Sequence, residues 1–191
     1  MKRRKAIGRI ALVGGGAVAA YSGYKWYEIS KSPDIRYLEE RRELIGELAD
    51  TIIPKTDSPG AKEANVQDYI IVMIKDCTET KTQNKFIEGL QELENYAGSK
   101  YGQSFQKCNS AQRQEILRYF EEKGKNYGGI AGKIRNRFLG KSFFTTLKEL
   151  TAEGYCTSEL GATQGLAYAF IPGRYDACIP LQPGQKGWAT K

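Results

Sequence analysis

The sequence predicts an all-α protein: a single helical, bundle-like domain with irregular loops and an irregular C-terminal tail, preceded by an N-terminal signal or anchor helix. Apolar residues recur at three- and four-residue spacing through most of the chain, which is the period of a one-faced helix. No segment shows the strict alternation of a β-strand over five or more residues. Glycine and proline interrupt the periodic segments where loops are expected.

The first two predicted helices flank a turn-rich loop. Residues 37–53 carry one apolar stripe, and Pro54 ends it. The loop that follows, residues 56–60, reads Thr-Asp-Ser-Pro-Gly and is rich in turn and capping side chains. Residues 66–77 are apolar on much of their surface, so we expect this second helix to be buried.

The middle of the chain predicts two further helices. Residues 82–101 repeat the one-faced pattern. Asn109 or Ser110 is suited to cap the next helix, which should end near Gly124.

The last third predicts one or two helices over residues 130–151, with Gly154 as a C-terminal stop. Residues 157–159, Thr-Ser-Glu, offer a start for a last short helix toward Phe170. Beyond Pro172 the chain has several prolines and glycines and no periodicity, which predicts an irregular tail.

Arg3 and Arg4 open an export signal of the twin-arginine type, predicted over residues 1–20. A basic head is followed by an apolar stretch and by Ala-Val-Ala at 17–19, a small-x-small cleavage pattern. Residues 21–35 then form a linker, and residues 36–191 form the helical domain. This export route carries proteins that are already folded, and its use predicts a periplasmic location.

The N-terminal sequence allows two other interpretations. An uncleaved anchor over residues 10–27 would make a helix of roughly 27 Å, slightly short for a bilayer core of about 30 Å. It would associate the protein with the inner membrane. Residues 14–19 also fit a loose G-x-G-x-x-A dinucleotide fingerprint, but no second strand of a βαβ unit follows, so we interpret this match as chance.

Composition excludes several classes of function. The whole chain has a net charge of +7, but five of its 29 basic residues lie in the first 20 positions. The remainder carries 24 basic and 22 acidic residues, so nucleic-acid binding is not predicted. Histidine is absent, as is C-x-x-C, which disfavours haem attachment, zinc sites and histidine-based catalysis. No cofactor is therefore expected in this chain.

The four cysteines are candidates for structural disulfides. An even number in an exported protein favours disulfides, and four cysteines allow three pairings. Neighbourhood in sequence favours Cys77 with Cys108 and Cys156 with Cys178. The alternative is that one or both pairs are buried thiols.

Three carboxylates indicate an alternative function, that of a self-contained periplasmic enzyme. Asp50, Asp57 and Glu159 could act as acid–base or metal-binding groups. Each also has a structural explanation: Asp50 lies near a helix end, Asp57 in a turn, and Glu159 in a first helical turn. We therefore predict no catalytic residue.

Two motifs carry a family resemblance. Residues 48–61, Leu-Ala-Asp-Thr-Ile-Ile-Pro-Lys-Thr-Asp-Ser-Pro-Gly-Ala, and residues 154–162, Gly-Tyr-Cys-Thr-Ser-Glu-Leu-Gly-Ala, resemble the small subunit (subunit 3) of gluconate 2-dehydrogenase. Residues 86–90, 171–175 and 178–181 fit the same pattern, and the resemblance spans roughly residues 36–188.

The resemblance implies a division of labour. In this family a large flavoprotein of the glucose-methanol-choline type binds FAD and oxidises a sugar or sugar acid, often with a multihaem cytochrome c. The small subunit binds no known cofactor, carries the twin-arginine signal recognised by the export machinery, and is needed for flavoprotein maturation or export.

The resemblance and the irregular backbone together predict a non-catalytic, chaperone-like subunit. A membrane-anchored structural protein is the remaining alternative. We expect contact with the partner to come from the loop, the segment after the last long helix, and the tail. The candidates are Asp50, Pro54, Asp57, Pro59, Gly60, Thr157, Ser158, Glu159, Pro172 and Tyr175.

Overall fold

The computed structural model describes residues 30–125, 141–171 and 180–189, together with a few isolated positions. Six α-helices lie between residues 35 and 157 of this described chain, and no strand occurs in it, which confirms the all-α prediction. Arg3, Arg4 and most of the predicted signal or anchor lie outside the described residues. Within them, no helix combines the length and apolar character needed to cross a membrane.

The helices follow one another with short connections. A 3-10 turn, Phe105–Lys107, precedes the fifth helix, and one turn of π-helix, Gly161–Gly165, follows the sixth. The α-helices are α1 (Ile35–Glu40), α2 (Arg42–Ile52), α3 (Val66–Cys77), α4 (Thr80–Tyr101), α5 (Ser110–Lys125) and α6 (Phe143–Thr157). The predicted helices over 66–77, 82–101 and from 110 are thereby confirmed.

Helix α6 is the centre of the bundle and packs against α2, α3, α4 and α5. Its sequence explains this position, because its buried residues recur at three- and four-residue spacing along the whole helix. These residues are Phe143, Thr146, Leu147, Leu150, Thr151, Gly154 and Tyr155. Fully buried side chains of the other elements complete the core, among them Leu44, Leu48, Ile70, Ile74, Phe86, Leu90, Leu93, Phe105 and Ile116.

The prediction of one continuous helix over 37–53 is wrong, because the chain leaves helical geometry at Arg41. Its guanidinium contacts both carboxylate oxygens of Glu94 at 3.1 Å and lies 4.5 Å from the centre of the Tyr37 ring. The Tyr37 hydroxyl donates to the same carboxylate at 2.7 Å. Burial and the Glu94 carboxylate raise the pKa of Tyr37 to about 12. Tyr37 of α1 and Arg41, at the break between α1 and α2, therefore both contact the same carboxylate of α4.

Side-chain caps begin α5, as its sequence predicts, and also α6. Asn109 Oδ1 accepts from the backbone N–H of Gln112 at 2.9 Å, and Gln112 Oε1 accepts from the N–H of Asn109 at 3.0 Å. This reciprocal pair is a capping box, so the cap is Asn109 rather than Ser110. Ser142 Oγ accepts from the N–H of Thr145 at 3.3 Å at the start of α6.

Two further boundaries differ from the prediction. Gly154 does not stop α6, which continues to Thr157. A Cβ at Gly154 would lie 2.6 Å from Cδ1 of Tyr69, so this glycine serves the packing of α3 on α6. The predicted short helix toward Phe170 ends earlier, with the π-helical turn, because Leu166 has extended backbone geometry.

An ion-pair cluster centred on Glu47 ties α2 to the following loop and to α5. Lys62 Nζ lies 2.5 Å from Oε1 of Glu47, and Arg113 donates to its Oε2. Arg113 also donates to the Gln106 carbonyl at 2.6 Å. Burial acts to raise the pKa of Glu47, but the hydrogen bonds and charges of Lys62 and Arg113 outweigh it and hold the pKa below its usual value.

The variant Glu47→Gln is expected to lower the free energy of unfolding by about 2 kcal/mol at neutral pH, because Arg113 and Lys62 lose their shared charge partner. A depressed folded pKa contributes stability above the unfolded carboxyl pKa of about 4.3, and this is lost as the pH falls through the folded value. Urea unfolding should therefore show the gap between wild type and variant closing on acidification. A gap independent of pH, or an equal gap for the exposed control Glu122→Gln, would contradict this assignment.

Candidate interaction surface

The loop after α2 is closed by backbone hydrogen bonds and by a close approach of Asp50 to Gly60. The N–H of Ala61 donates to the carbonyl of Ile53 at 2.9 Å, which joins the two ends of the loop. A Cβ at Gly60 would lie 2.5 Å from Oδ1 of Asp50 and 2.8 Å from the backbone nitrogen of Lys55. Only glycine fits at this point, and Asp50 is half-buried against it.

The outer part of the same loop faces solvent. Pro54 and Asp57 are exposed, Pro59 is half-buried and Gly60 is buried. The N–H of Thr56 donates to the carbonyl of Ser58 at 3.0 Å, which makes the tight turn that this composition predicts. The loop therefore presents Pro54 and Asp57 outward on a closed base.

Tyr155 joins this loop to the segment after α6, although the two are far apart in sequence. Its side chain is buried, and its hydroxyl donates to the carbonyl of Pro59 at 2.8 Å. A Cβ at Gly165 would lie 2.4 Å from the same hydroxyl oxygen. The Tyr155 ring thus lies between the loop and the π-helical turn, and the two resemblance motifs meet at this side chain.

Tyr155 is not among the candidate residues predicted from the sequence. The available signal was an aromatic residue within the second motif, flanked by glycine and by capping side chains. Periodicity alone places it in the core and gives no information about the distant carbonyl that it contacts.

The hydroxyls after α6 are used within the chain. Ser158 Oγ donates to the carbonyl of Tyr155 at 2.8 Å and accepts from the N–H of Gly161 at 3.0 Å. Thr157 Oγ1 donates to the carbonyl of Glu153 at 2.8 Å. Thr157 and Glu159 remain exposed, whereas Ser158 is half-buried and shapes the turn.

The chain beyond the π-helical turn forms what we call the C-terminal strap, residues 166–171 and 180–189. The N–H of Ala167 donates to the carbonyl of Gly187, and the N–H of Ala189 donates to the carbonyl of Ala167, both at 2.8 Å. Ala167 and Trp188 thereby form an isolated parallel bridge. The irregular tail predicted beyond Pro172 is confirmed for residues 180–189, where the bridge at Trp188 is the one pairing of β type.

The structure brings together the loop and the segment after α6, but it does not test the predicted contacts with a partner. Pro172 and Tyr175 lie outside the described residues. Asp50, Asp57 and Glu159 do not form a shared site. Among the residues that the structure describes, no three His, Cys, Asp or Glu side chains are grouped to hold a metal ion.

All four cysteines are free thiols in the structure, so neither predicted disulfide is formed. Cys108 is buried, and its Sγ contacts the carbonyl of Ser104 at 3.5 Å. Cys77, Cys156 and Cys178 are exposed. Cys108 therefore fits the alternative prediction of a buried thiol, and the two predicted disulfides are not confirmed.

A family model described as "Gluconate 2-dehydrogenase subunit 3" matches residues 39–173, more than half of the chain. The protein belongs to the gluconate 2-dehydrogenase subunit 3 family. The match includes the loop after α2, Tyr155 and the π-helical turn, and it ends before the second half of the C-terminal strap. No curated protein and no solved structure matches the chain.

Proposed function

We propose that this chain is the non-catalytic small subunit of a periplasmic, FAD-dependent sugar or sugar-acid dehydrogenase complex. It escorts and stabilises the flavoprotein subunit during maturation and export. The observation that carries the proposal is the match of residues 39–173 to the subunit 3 family, whose name is that of a dehydrogenase subunit.

The geometry of the domain supports a binding role over independent catalysis. The candidate carboxylates of the alternative enzyme lie in α2, in the loop after it and after α6, and the three do not form a group that could hold a metal ion. The two family motifs instead build a buried junction around Tyr155, with exposed backbone turns outside it. Such a junction fixes the shape of a surface, which is what a binding subunit requires.

FAD belongs to the partner in this proposal, and a cytochrome c subunit is the expected electron acceptor. Arg3 and Arg4 supply the export signal for the chain together with its folded partner. The N-terminal segment is either cleaved or retained as an inner-membrane anchor, and both outcomes leave the helical domain in the periplasm.

Export of the partner provides the test. The double variant Arg3→Lys with Arg4→Lys keeps the positive charge but removes the arginine pair. We expect it to leave the flavoprotein in the cytoplasm, measured as FAD-containing dehydrogenase activity in periplasmic and cytoplasmic fractions. The control Lys2→Arg should leave export unchanged. Normal periplasmic activity in the double variant would refute the escort role.

A further inference from the structure

We propose that the C-terminal strap is the surface on which the flavoprotein subunit docks, through an apolar and largely uncharged face of that subunit. The identity of the partner rests on the proposed function. The location of the surface and its chemistry rest on the described residues of the strap.

Apart from Tyr21, Tyr24 and Tyr27 near the N-terminus, most of the exposed large apolar side chains of the described residues lie in the strap. Its five large apolar residues are exposed by 46–85%: Tyr168, Phe170, Ile171, Leu181 and Trp188. Within the six α-helices, only Val72 and Tyr119 are large apolar residues of comparable exposure. Since a large aromatic side chain can bury about 150–250 Å², the three aromatic residues among the five alone present several hundred Å² in total. Apolar surface of that extent marks interaction sites on soluble proteins.

Among the described residues, a small set of hydrogen bonds fixes the path of the strap. The bridge at Ala167 supplies two backbone hydrogen bonds, and Lys186 donates to the carbonyl of Gln164. The turn before it is closed by the N–H of Gln185, which donates to the carbonyl of Gln182 at 3.1 Å. The strap is therefore already placed before a partner binds, which lowers the entropy lost on docking.

The low charge of the strap indicates that the partner docking on it is a protein surface. The strap contains one basic residue, Lys186, and no acidic residue, in a chain that is 27% charged. Binding to an anionic membrane surface relies on clusters of lysine and arginine, which this segment lacks. An apolar protein face is the complementary partner for such a segment.

The second half of the strap lies beyond the family match, which ends at residue 173. Leu181 and Trp188 are therefore not part of what the family assigns to this chain. Their placement follows from the bridge at Ala167, which itself lies within the match.

The experiment measures recovery of the flavoprotein, identified by its bound FAD, on tagged full-length chain. Phe170→Asp and Trp188→Asp introduce a charge on the strap, and Val72→Asp introduces the same charge on exposed α3. We expect at least tenfold weaker binding for each strap variant and binding within twofold of wild type for Val72→Asp. Thermal unfolding within a few degrees of wild type shows that the variants fold.

Salt dependence provides an independent readout. Because the strap carries little net charge, affinity for the flavoprotein should change by less than threefold between roughly 50 and 500 mM NaCl. A charge-steered interface would lose affinity steeply over this range.

The outcomes separate this inference from the proposed function. If wild type recovers the flavoprotein and the strap variants recover it equally well, the strap is not the docking surface, while the proposed function stands. If wild type recovers none, the proposed function fails, and the assignment of the occupant fails with it. Strap-dependent binding to phosphatidylglycerol vesicles, or strap-dependent dimerisation of the chain alone, would also overturn the assignment.

Discussion

Replacing Gly89 by alanine is expected to lower the free energy of unfolding by about 2 kcal/mol, because the added methyl group overlaps a core side chain. A Cβ at this position would lie 2.2 Å from Cγ of Phe143. The Phe143 ring cannot move aside freely, since it packs on Phe86 and Phe120 with ring centres 5.2 and 5.9 Å away. Either α4 or α6 must shift, and α6 is the helix on which the other long helices pack.

The same substitution at Gly98 of α4 is the matched control. Gly98 is exposed, and a Cβ there meets no atom within 4 Å. Alanine should therefore stabilise the helix by about 0.5–1 kcal/mol, the usual cost of glycine in a helix interior. Chemical denaturation of the two variants should give changes of opposite sign. Changes of the same sign would show that packing against Phe143 does not decide the effect.

Replacing Tyr155 by alanine should lower the free energy of unfolding by about 3 kcal/mol, as expected for loss of a buried aromatic ring. The milder Tyr155→Phe removes only the hydrogen bond to the Pro59 carbonyl and should cost about 1 kcal/mol. The alanine variant also opens the space between the loop and the π-helical turn. The segment from Gly161 onward should then become sensitive to limited proteolysis.

Limited proteolysis, carried out where each variant has the same fraction of folded protein, distinguishes local from global unfolding. In Tyr155→Ala, cleavage should appear first between residues 161 and 171, with α2 to α5 still protected. In Tyr155→Phe the segment should stay protected. Uniform cleavage along the chain in Tyr155→Ala would mean that Tyr155 supports the core in general and does not specifically hold this junction.

Local sequence patterns predict most of the helices correctly, because the spacing of apolar residues along a helix determines which of its residues are buried. The apolar stripe over 66–77 predicts α3 with its observed bounds, and Asn109 caps α5 within one residue of the expectation. The spacing of apolar residues predicted the wrong helix boundary where a residue distant in sequence contacts the helix. Arg41 breaks its helix beside Glu94, and Gly154 stays helical because Tyr69 packs on it. Neither partner is a sequence neighbour, so no local pattern could include it.

For the candidate surface, too, some features could be predicted from the sequence and others could not. Motif resemblance selected the loop after α2 and the segment after α6 as separate candidates, and the family match includes both. Their junction at Tyr155, and the Ala167–Trp188 bridge that carries the exposed apolar residues, follow from the three-dimensional arrangement. The partner contacts at Pro54, Asp57 and Glu159, and the export signal at Arg3 and Arg4, stay predictions.

The sequence by itself determined the helical class, the buried stripes and the membership of the subunit 3 family, because these depend on spacing and residue type within single segments. Only the tertiary structure decided which segments meet. The hydrogen bond from Tyr155 to Pro59 joins residues 96 positions apart, and such a contact depends on how α6 packs among its neighbours. That packing sets the geometry of the surface offered to a partner.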